Sequence, residues 1–400
     1  NAIHSWLTGY DYLPERLEGL YEIIQYYRIH SNHKLCLLFY NLSMKTLLDK
    51  KYNIDEYLFL HKDVYAYELY YEYTIFAAYL GVTNINNEVV HVLNRCNNNS
   101  KNINVLKNLK YYKDVLNPLR IMNKDNCISV IIKDAPVTLQ SSSSCLIPNP
   151  YKDGYIMNIR YVNYNIMPDG SYENCDKHII TANKCMELDT QFTLLSETMF
   201  EVDFQGRMYT GIEDLRLYHD KHSHKIRYIG TGYHKNNTIG IVEGQYKIHN
   251  KRLGVNEMRH RFHKTNCEKN WVYIEYNGET HIVYKWQPLQ ICKISEVGHE
   301  IRLTKSINMP KIFTHVRGSS CGFTYNKETW FVVHLVSYES PRHYYHMTVV
   351  LSEDAHLIRH SAPFTFEGEC IEYCLSIIVE EDRVLMNYST WDRTTRIGVY

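Results

Sequence analysis

Five strand-like runs in the second half of the chain carry charged or amide side chains where a sheet interior would take apolar ones. They hold Arg160 in NIRYVNY, Glu213, Asp214 and Arg216 in GIEDLRL, Glu268, Lys269 and Asn270 in CEKNW, Arg317 in RGSS, and Glu372 in IEYC. Neighbouring members lie roughly fifty residues apart, about the length of a four-stranded propeller blade. In a propeller the innermost strand of each blade borders the axial channel. Polar residues there face a shared watery pocket and not a sheet core. Residues 151–400 therefore read as a five-bladed β-propeller.

The hydrophobic period divides the chain. After residue 150 it is two, in runs such as KIRYIGTGYH, TIGIVEGQYKI, TWFVVHLVSY and RVLMNYS, separated by turn signals. Before residue 118 it is helical. PERLEGLYEIIQYYRIH places Leu17, Leu20, Ile23, Ile24 and Tyr27 at helical spacing, with Pro14 positioned to start the helix. LCLLFYNLSMKTLL and VYAYELYYEYTIFAAYLG repeat the pattern, and Gly81 is placed to end the second. Short loops predict antiparallel helical hairpins packed side by side, and the block resembles a tetratricopeptide-like segment. The expected class is α + β multidomain: helices over 1–118, a linker with one strand over 119–150, and the propeller over 151–400. The linker holds the strand-like CISVIIK (127–133) and the serine run SSSSC (141–145), which lacks the glycines of a phosphate loop and reads as a flexible connector.

Composition removes several classes. Lys+Arg and Asp+Glu are both 44, so no overall basic character attracts nucleic acid or anionic lipid. No apolar run approaches membrane-spanning length. The 11 cysteines are odd in number and scattered without a CxxC pair, which predicts reduced thiols in a cytoplasmic protein. No metal site and no cofactor is expected. The absence of a leading Met suggests an excerpt of a longer polypeptide. Tyrosine, at 36, is abundant, and its ring face and hydroxyl suit sugar binding.

The converging strands would fill one funnel. Its carboxylates would be Glu213, Asp214, Glu268, Glu372 and Asp392, and its cations Arg160, Arg216, Lys269, Arg317 and Arg393. Asn163, Asn270, Trp271, His334, Tyr373 and Tyr388 would supply polar and aromatic contacts. A carboxyl group moves a proton on or off a sugar hydroxyl, while cations hold phosphate.

These motifs resemble those of the β-mannoside phosphorylases and hydrolases with five-bladed propellers, and of the related protist β-mannosyltransferases. GIEDLRL is similar to that family's GxEDPRI strand, with Leu215 in place of proline. TWFVVHLVSY resembles its histidine-bearing strand and places His334 on the family histidine, with Leu335 in place of glycine. VLMNYSTWD resembles its closing strand, placing Asp392 on the terminal aspartate, with Ser389 in place of glycine. The resemblance implies an inverting reaction with Asp214 as the proton-transfer group. It makes Arg216 the first candidate for phosphate, followed by Arg160, Lys269 and Arg317, with Glu213 orienting a sugar hydroxyl or Arg216. Asn163, Asn270, His334, Glu372, Tyr373, Tyr388 and Asp392 are the remaining expected substrate contacts.

The helical half also looks like the segment that follows a nucleotide-sugar glycosyltransferase domain in larger enzymes, so a protein partner or a fused domain is expected through it. The expected function is a β-mannosyltransferase or β-mannoside phosphorylase that takes a sugar phosphate or nucleotide sugar and an oligosaccharide acceptor. The alternative is a catalytically inactive sugar-binding propeller or an interaction scaffold. Strand alternation would send Glu213 and Asp214 to opposite faces. A water-activating base would then have to come from Glu268 or Glu372, which favours a phosphorylated donor over hydrolysis.

Overall fold

The computed structural model describes residues 2–49, 57–112, 114–132, 134–174, 178–204, 208–262, 266–295 and 298–400. The chain forms two compact units, residues 1–114 and 115–400. Lys133, the last residue of the expected strand at 127–133, lies outside the described residues.

The described residues of the first unit form six α-helices: α1 (Ala2–Tyr12), α2 (Glu18–Ile29), α3 (His33–Leu48), α4 (Leu69–Phe76), α5 (Asn86–Arg95) and α6 (Asn99–Asn108). Leu17, Leu20, Ile23 and Ile24 are fully buried, as their spacing requires. Helix α2 starts at Glu18 and not at Pro14, because the Tyr65 hydroxyl accepts the Leu17 N–H at 3.0 Å and holds the entry turn open. The buried carboxylate of Glu72 on α4 accepts from Arg28 and Gln25 on α2. A π-helical turn, Val64–Glu68, precedes α4, and a 3₁₀ turn, Ala77–Leu80, follows it. Gly81 then ends the run at φ 76°, a left-handed cap. Helix lengths from 8 to 16 residues, interrupted by these turns, do not show the regular hairpins of a tetratricopeptide-like block. Among the described residues no helix is long and apolar enough to cross a membrane.

The second unit is a ring of five antiparallel blades. The first blade is built on Ala135–Pro148, Tyr155–Val162, Ile179–Leu188 and Leu194–Met199, with Cys127–Ile132 paired to the start of its inner strand. The second comprises Glu213–Asp220, Lys225–Tyr233, Ile239–Gln245 and Asn256–Glu257, and the third Val272–Tyr276, Glu279–Trp286, Leu289–Ile294 and Ile301–Ile307. In the fourth, two short inner strands, Arg317–Gly318 and Phe323–Tyr325, pair with Glu328–Ser337, followed by His343–Ser352 and Leu357–His360. The fifth holds Glu372–Val379, Val384–Thr390 and Arg396–Val399. Its outermost strand is Arg120–Asn123, paired antiparallel with Arg396–Val399. An early segment thus closes the ring onto a late one.

This closure corrects the expected linker at 119–150, most of whose described residues belong to blade strands. The serine run is no flexible connector. Ser141, Ser142, Ser143 and Ser144 are at most 1 % exposed, on the strand that packs against the inner strands of the second and fifth blades. Small side chains suit the crowded axis, and most of the hydroxyls find partners. Ser141 accepts the Asn126 N–H at 3.0 Å, and Ser144 accepts from Asn387 at 3.2 Å. Arg160 and His334 lie one strand out from the axis, on Tyr155–Val162 and Glu328–Ser337.

Two expected pocket residues serve the fold. Glu372 is fully buried and accepts the backbone N–H groups of Phe366, Glu367 and Glu369 at 2.6, 2.8 and 2.9 Å, pinning the loop before its own strand. Burial pushes its carboxyl up to about 7, outweighing the three N–H donors that pull it down. Tyr388 stacks on Phe366 at 4.2 Å and donates to Glu367 at 2.9 Å.

Two outcomes follow from this architecture. A fragment of residues 115–400 folds cooperatively, whereas residues 151–400 lack both the ring-closing strand and the axial serine strand and do not. Circular dichroism and thermal melting of the two fragments check this. Glu372→Ala strands buried N–H donors and lowers stability by about 3 kcal/mol, or a melting shift of roughly 6–12 °C. Because the folded-state pKa is raised, the contribution of this carboxyl is full below its unfolded value and is lost as pH rises through about 7. The penalty is therefore larger at pH 5 than at pH 8, as melts at both pH values would show.

Candidate functional site

The GIEDLR stretch does not run as a regular strand. Gly211 has φ +89°, and a Cβ there would sit 1.9 Å from the Thr181 carbonyl oxygen, so only glycine lets the chain pass. Ile212 then packs into the core between the first two blades. Glu213 pairs with Thr231, but the next pair is Arg216 with Ile229, so this strand holds one residue more than its partner. The extra residue makes a β-bulge, with Asp214 at φ 50° in the left-handed region that Asp tolerates better than most residues. The bulge overturns the alternation argument. Glu213 and Asp214 line the same cavity, while Leu215 and Arg216 turn inward and are fully buried.

That cavity has a volume of about 690 Å³. The structure brings Arg160, Glu213, Asp214, Lys269, Asn270, Arg317, His334, Tyr373 and Asp392 together around it. Asp214, Asn270 and Asp392 all have positive φ, at 50°, 67° and 51°. Such conformations cost of order 1–3 kcal/mol each and cluster where ligands bind.

Arg160 organises the carboxylates. One guanidinium nitrogen donates to Asp214 Oδ1 at 3.0 Å, and the other lies 3.8 Å from Glu213 Oε1. The second nitrogen also donates to the Tyr164 hydroxyl at 3.1 Å, which in turn donates to Asp392 Oδ2 at 2.7 Å. Burial works against the Arg160 charge, but Tyr164, Asp214, Glu213 and Asp392 outweigh it and hold the group well above its usual range. The Asp392 carboxyl is raised, first by burial and then by the nearby Asp214 and Glu213, with Arg160 and Tyr164 opposing. Lys269 binds Glu213 Oε2 at 2.9 Å. Burial lowers this ammonium, yet Glu213 and Asp214 leave it raised. The buried His334 ring is held well below the usual histidine range by burial, with His346, Arg317 and Arg216 adding, so it is neutral near pH 7. Its Nδ1 lies 2.8 Å from the Ser319 hydroxyl.

Seven residues expected in the funnel do not line the cavity: Asn163, Arg216, Glu268, Trp271, Glu372, Tyr388 and Arg393. Arg216 lies beneath it, donating to the Ser319 carbonyl, the Asp214 carbonyl at 2.9 Å, Asn270 at 3.4 Å and the Tyr373 hydroxyl at 2.8 Å. Four of its five N–H donors are held by the protein, so Arg216 braces the residues beneath the cavity. Asn163 donates to the His178 carbonyl and accepts the Ile180 N–H, fastening its own blade. Glu372 and Tyr388 hold the loop described above. Glu268 accepts from Trp271 and pairs with His260 at 3.2 Å, and Arg393 donates to the Ile166 carbonyl, so neither enters the funnel.

Sequence reasoning missed Tyr164, Tyr172, Tyr209, Tyr344, Glu339 and Arg342, all of which line the cavity. The only signal was the excess of tyrosine, and Tyr164 stands four residues after Arg160. Arg317 and Arg342 both lie over the Tyr338 ring, at 5.6 and 5.5 Å, and make cation–π contacts. Among the described residues no group of three or more His, Cys, Asp or Glu side chains is arranged to hold a metal ion, and no disulfide links the described cysteines.

No protein-family model and no curated protein matches the chain. Solved structures do. A β-1,2-mannobiose phosphorylase from Listeria innocua shares 10% identity at a TM-score of 0.46, covering 65% of this chain and 90% of that one. A glycosyl hydrolase from Bacteroides ovatus shares 8% identity at 0.48, covering 72% and 93%. A GDP-Man-dependent mannosyltransferase from Leishmania mexicana shares 10% identity at 0.43, covering 65% and 85%. Each is a structure this chain resembles, while the five-bladed ring itself rests on the strand pairing described above.

Proposed function

We propose that the propeller is an inverting carbohydrate-active enzyme that transfers a glycosyl group, best read as mannosyl, from a phosphorylated donor to an oligosaccharide hydroxyl, with Asp214 as the proton-transfer group. One observation carries the reading: a left-handed bulge presents Asp214 to a large polar cavity, where Arg160 and Ser143 hold one carboxylate oxygen at 3.0 and 3.4 Å. Asp214 Oδ2 then remains for substrate. In the synthetic direction the acceptor hydroxyl gives its proton to Asp214 as its oxygen bonds to the anomeric carbon. The bond from that carbon to the phosphate oxygen breaks on the opposite face, and the phosphate or nucleoside diphosphate leaves with the electron pair. Arg317 and Lys269 in the wall, with Arg342, are placed to meet that charge.

Hydrolysis is the second reading, favoured by the bulge itself. Because Glu213 and Asp392 share the cavity with Asp214, a water-activating base no longer has to come from Glu268 or Glu372. Incubation with mannose 1-phosphate or GDP-mannose plus manno-oligosaccharides, against manno-oligosaccharides alone in phosphate-free buffer, separates the two. Elongation supports transfer; shortening without phosphate supports hydrolysis.

Asp214→Asn is expected to lower turnover by about 10²–10⁴-fold while sugar binding and melting temperature stay near wild type. More than a third of the wild-type rate would remove Asp214 from the mechanism. Arg317→Ala is expected to weaken donor binding several-fold with little change in melting. Arg216→Ala instead costs about 3 kcal/mol or more of stability, because it leaves several buried acceptors without a donor. Calorimetric donor titration beside thermal melting distinguishes the two arginines, and a stable Arg216→Ala protein that no longer binds donor would reverse their roles.

A further inference from the structure

A second cavity, of about 620 Å³, opens between the first and second blades. Pockets for small molecules span roughly 300–1,000 Å³. Its wall includes Asn183, Phe200, Tyr209, Tyr233 and Val255. Tyr209 also lines the Asp214 cavity, so one residue borders both spaces. The gap at that border, lined by Glu213, Thr231 and Tyr233 among others, has only about 10 Å³. That is room for about one water. The wall itself has no room for a sugar, so a ligand reaching both cavities would pass along their shared border at Tyr209.

The lining indicates what kind of ligand this is. The Tyr209 and Tyr233 rings stand 6.3 Å apart, tilted by 30°, and both are half-buried. Such rings stack on the C–H faces of a pyranose while their hydroxyls stay near polar groups. Among the described residues the wall holds one cation, Arg252, which pairs with Glu201 at 2.5 Å and has Asp203 near it. The cleft suits an uncharged polyol.

We propose that this cleft binds the distal sugar units of an oligosaccharide whose reacting end lies beside Asp214. The inference rests on the glycosyl-transfer reading and adds a length preference to it. A chain crossing Tyr209 gains contacts that a disaccharide confined to the central cavity does not.

The test is calorimetric titration of the full chain with β-linked manno-oligosaccharides of two to six units, with gluco- and xylo-oligosaccharides of the same lengths in parallel. Affinity is expected to rise about tenfold or more between two and four units. Val255→Trp, which fills the cleft from an exposed position, and Tyr233→Ala, which removes one ring, are each expected to bring the four-unit ligand to the two-unit affinity. Both should leave the two-unit ligand unchanged, and melting curves verify that both variants are folded. Binding and turnover that do not depend on length overturn the cleft alone and leave the transfer reading standing. A length gain that survives both substitutions also overturns it, since the distal units then lie elsewhere. If no oligosaccharide of any length binds, the transfer reading falls and takes the cleft with it.

Discussion

A single buried guanidinium ties together the walls of the central cavity. Arg216 belongs to the second blade, yet it donates to Ser319 of the fourth, to Asn270 at the entry of the third, and to Tyr373 of the fifth. It also holds the carbonyl of Asp214, the residue whose backbone is bent out of the strand. A charge without exposed surface persists only when its donors are matched, and an unmatched one costs several kcal/mol. The blades must therefore approach in one register for Arg216 to be satisfied. That register also sets the positions of Asp214, Asn270 and Tyr373 around the cavity above it.

Over that floor, Arg160 does different work. It is 4 % exposed and faces Asp214, Glu213 and, through Tyr164, Asp392. Without it, three carboxylates around one cavity would face one another with less compensating charge. With it, Asp214 and Glu213 stay close, while Asp392 sits one phenol further away with its carboxyl raised.

The legible part of the structure was the part that repeats. Charged residues interrupting apolar strands at a steady interval marked the inner strand, or its entry, in four of the five blades, while Arg160 marks the first blade from one strand further out. The helical core was legible from Leu17, Leu20, Ile23 and Ile24 for the same kind of reason. What was not legible depends on tertiary context. The run Ser141–Ser144 looks like a connector by composition, but at a crowded axis small polar residues are the ones that fit. Glu213 and Asp214 look opposed by strand alternation, and one bulge brings them to one side. Arg216 and Glu372 were read as ligand contacts because polar residues in strands attract that reading. Each instead satisfies backbone groups that no local pattern reveals.

The pairing of Arg120–Asn123 with Arg396–Val399 also imposes an order in time. On a ribosome the ring-closing strand emerges early and waits while every other blade is synthesised. Until its partner appears, its exposed backbone edge and the apolar face of Met122 are without their final cover. Loop-closure entropy grows only slowly with length, so the delay costs little at equilibrium. It costs more in rate, because contacts so distant in sequence form late. During that interval the neighbouring helical unit, whose contacts are local, is already able to fold.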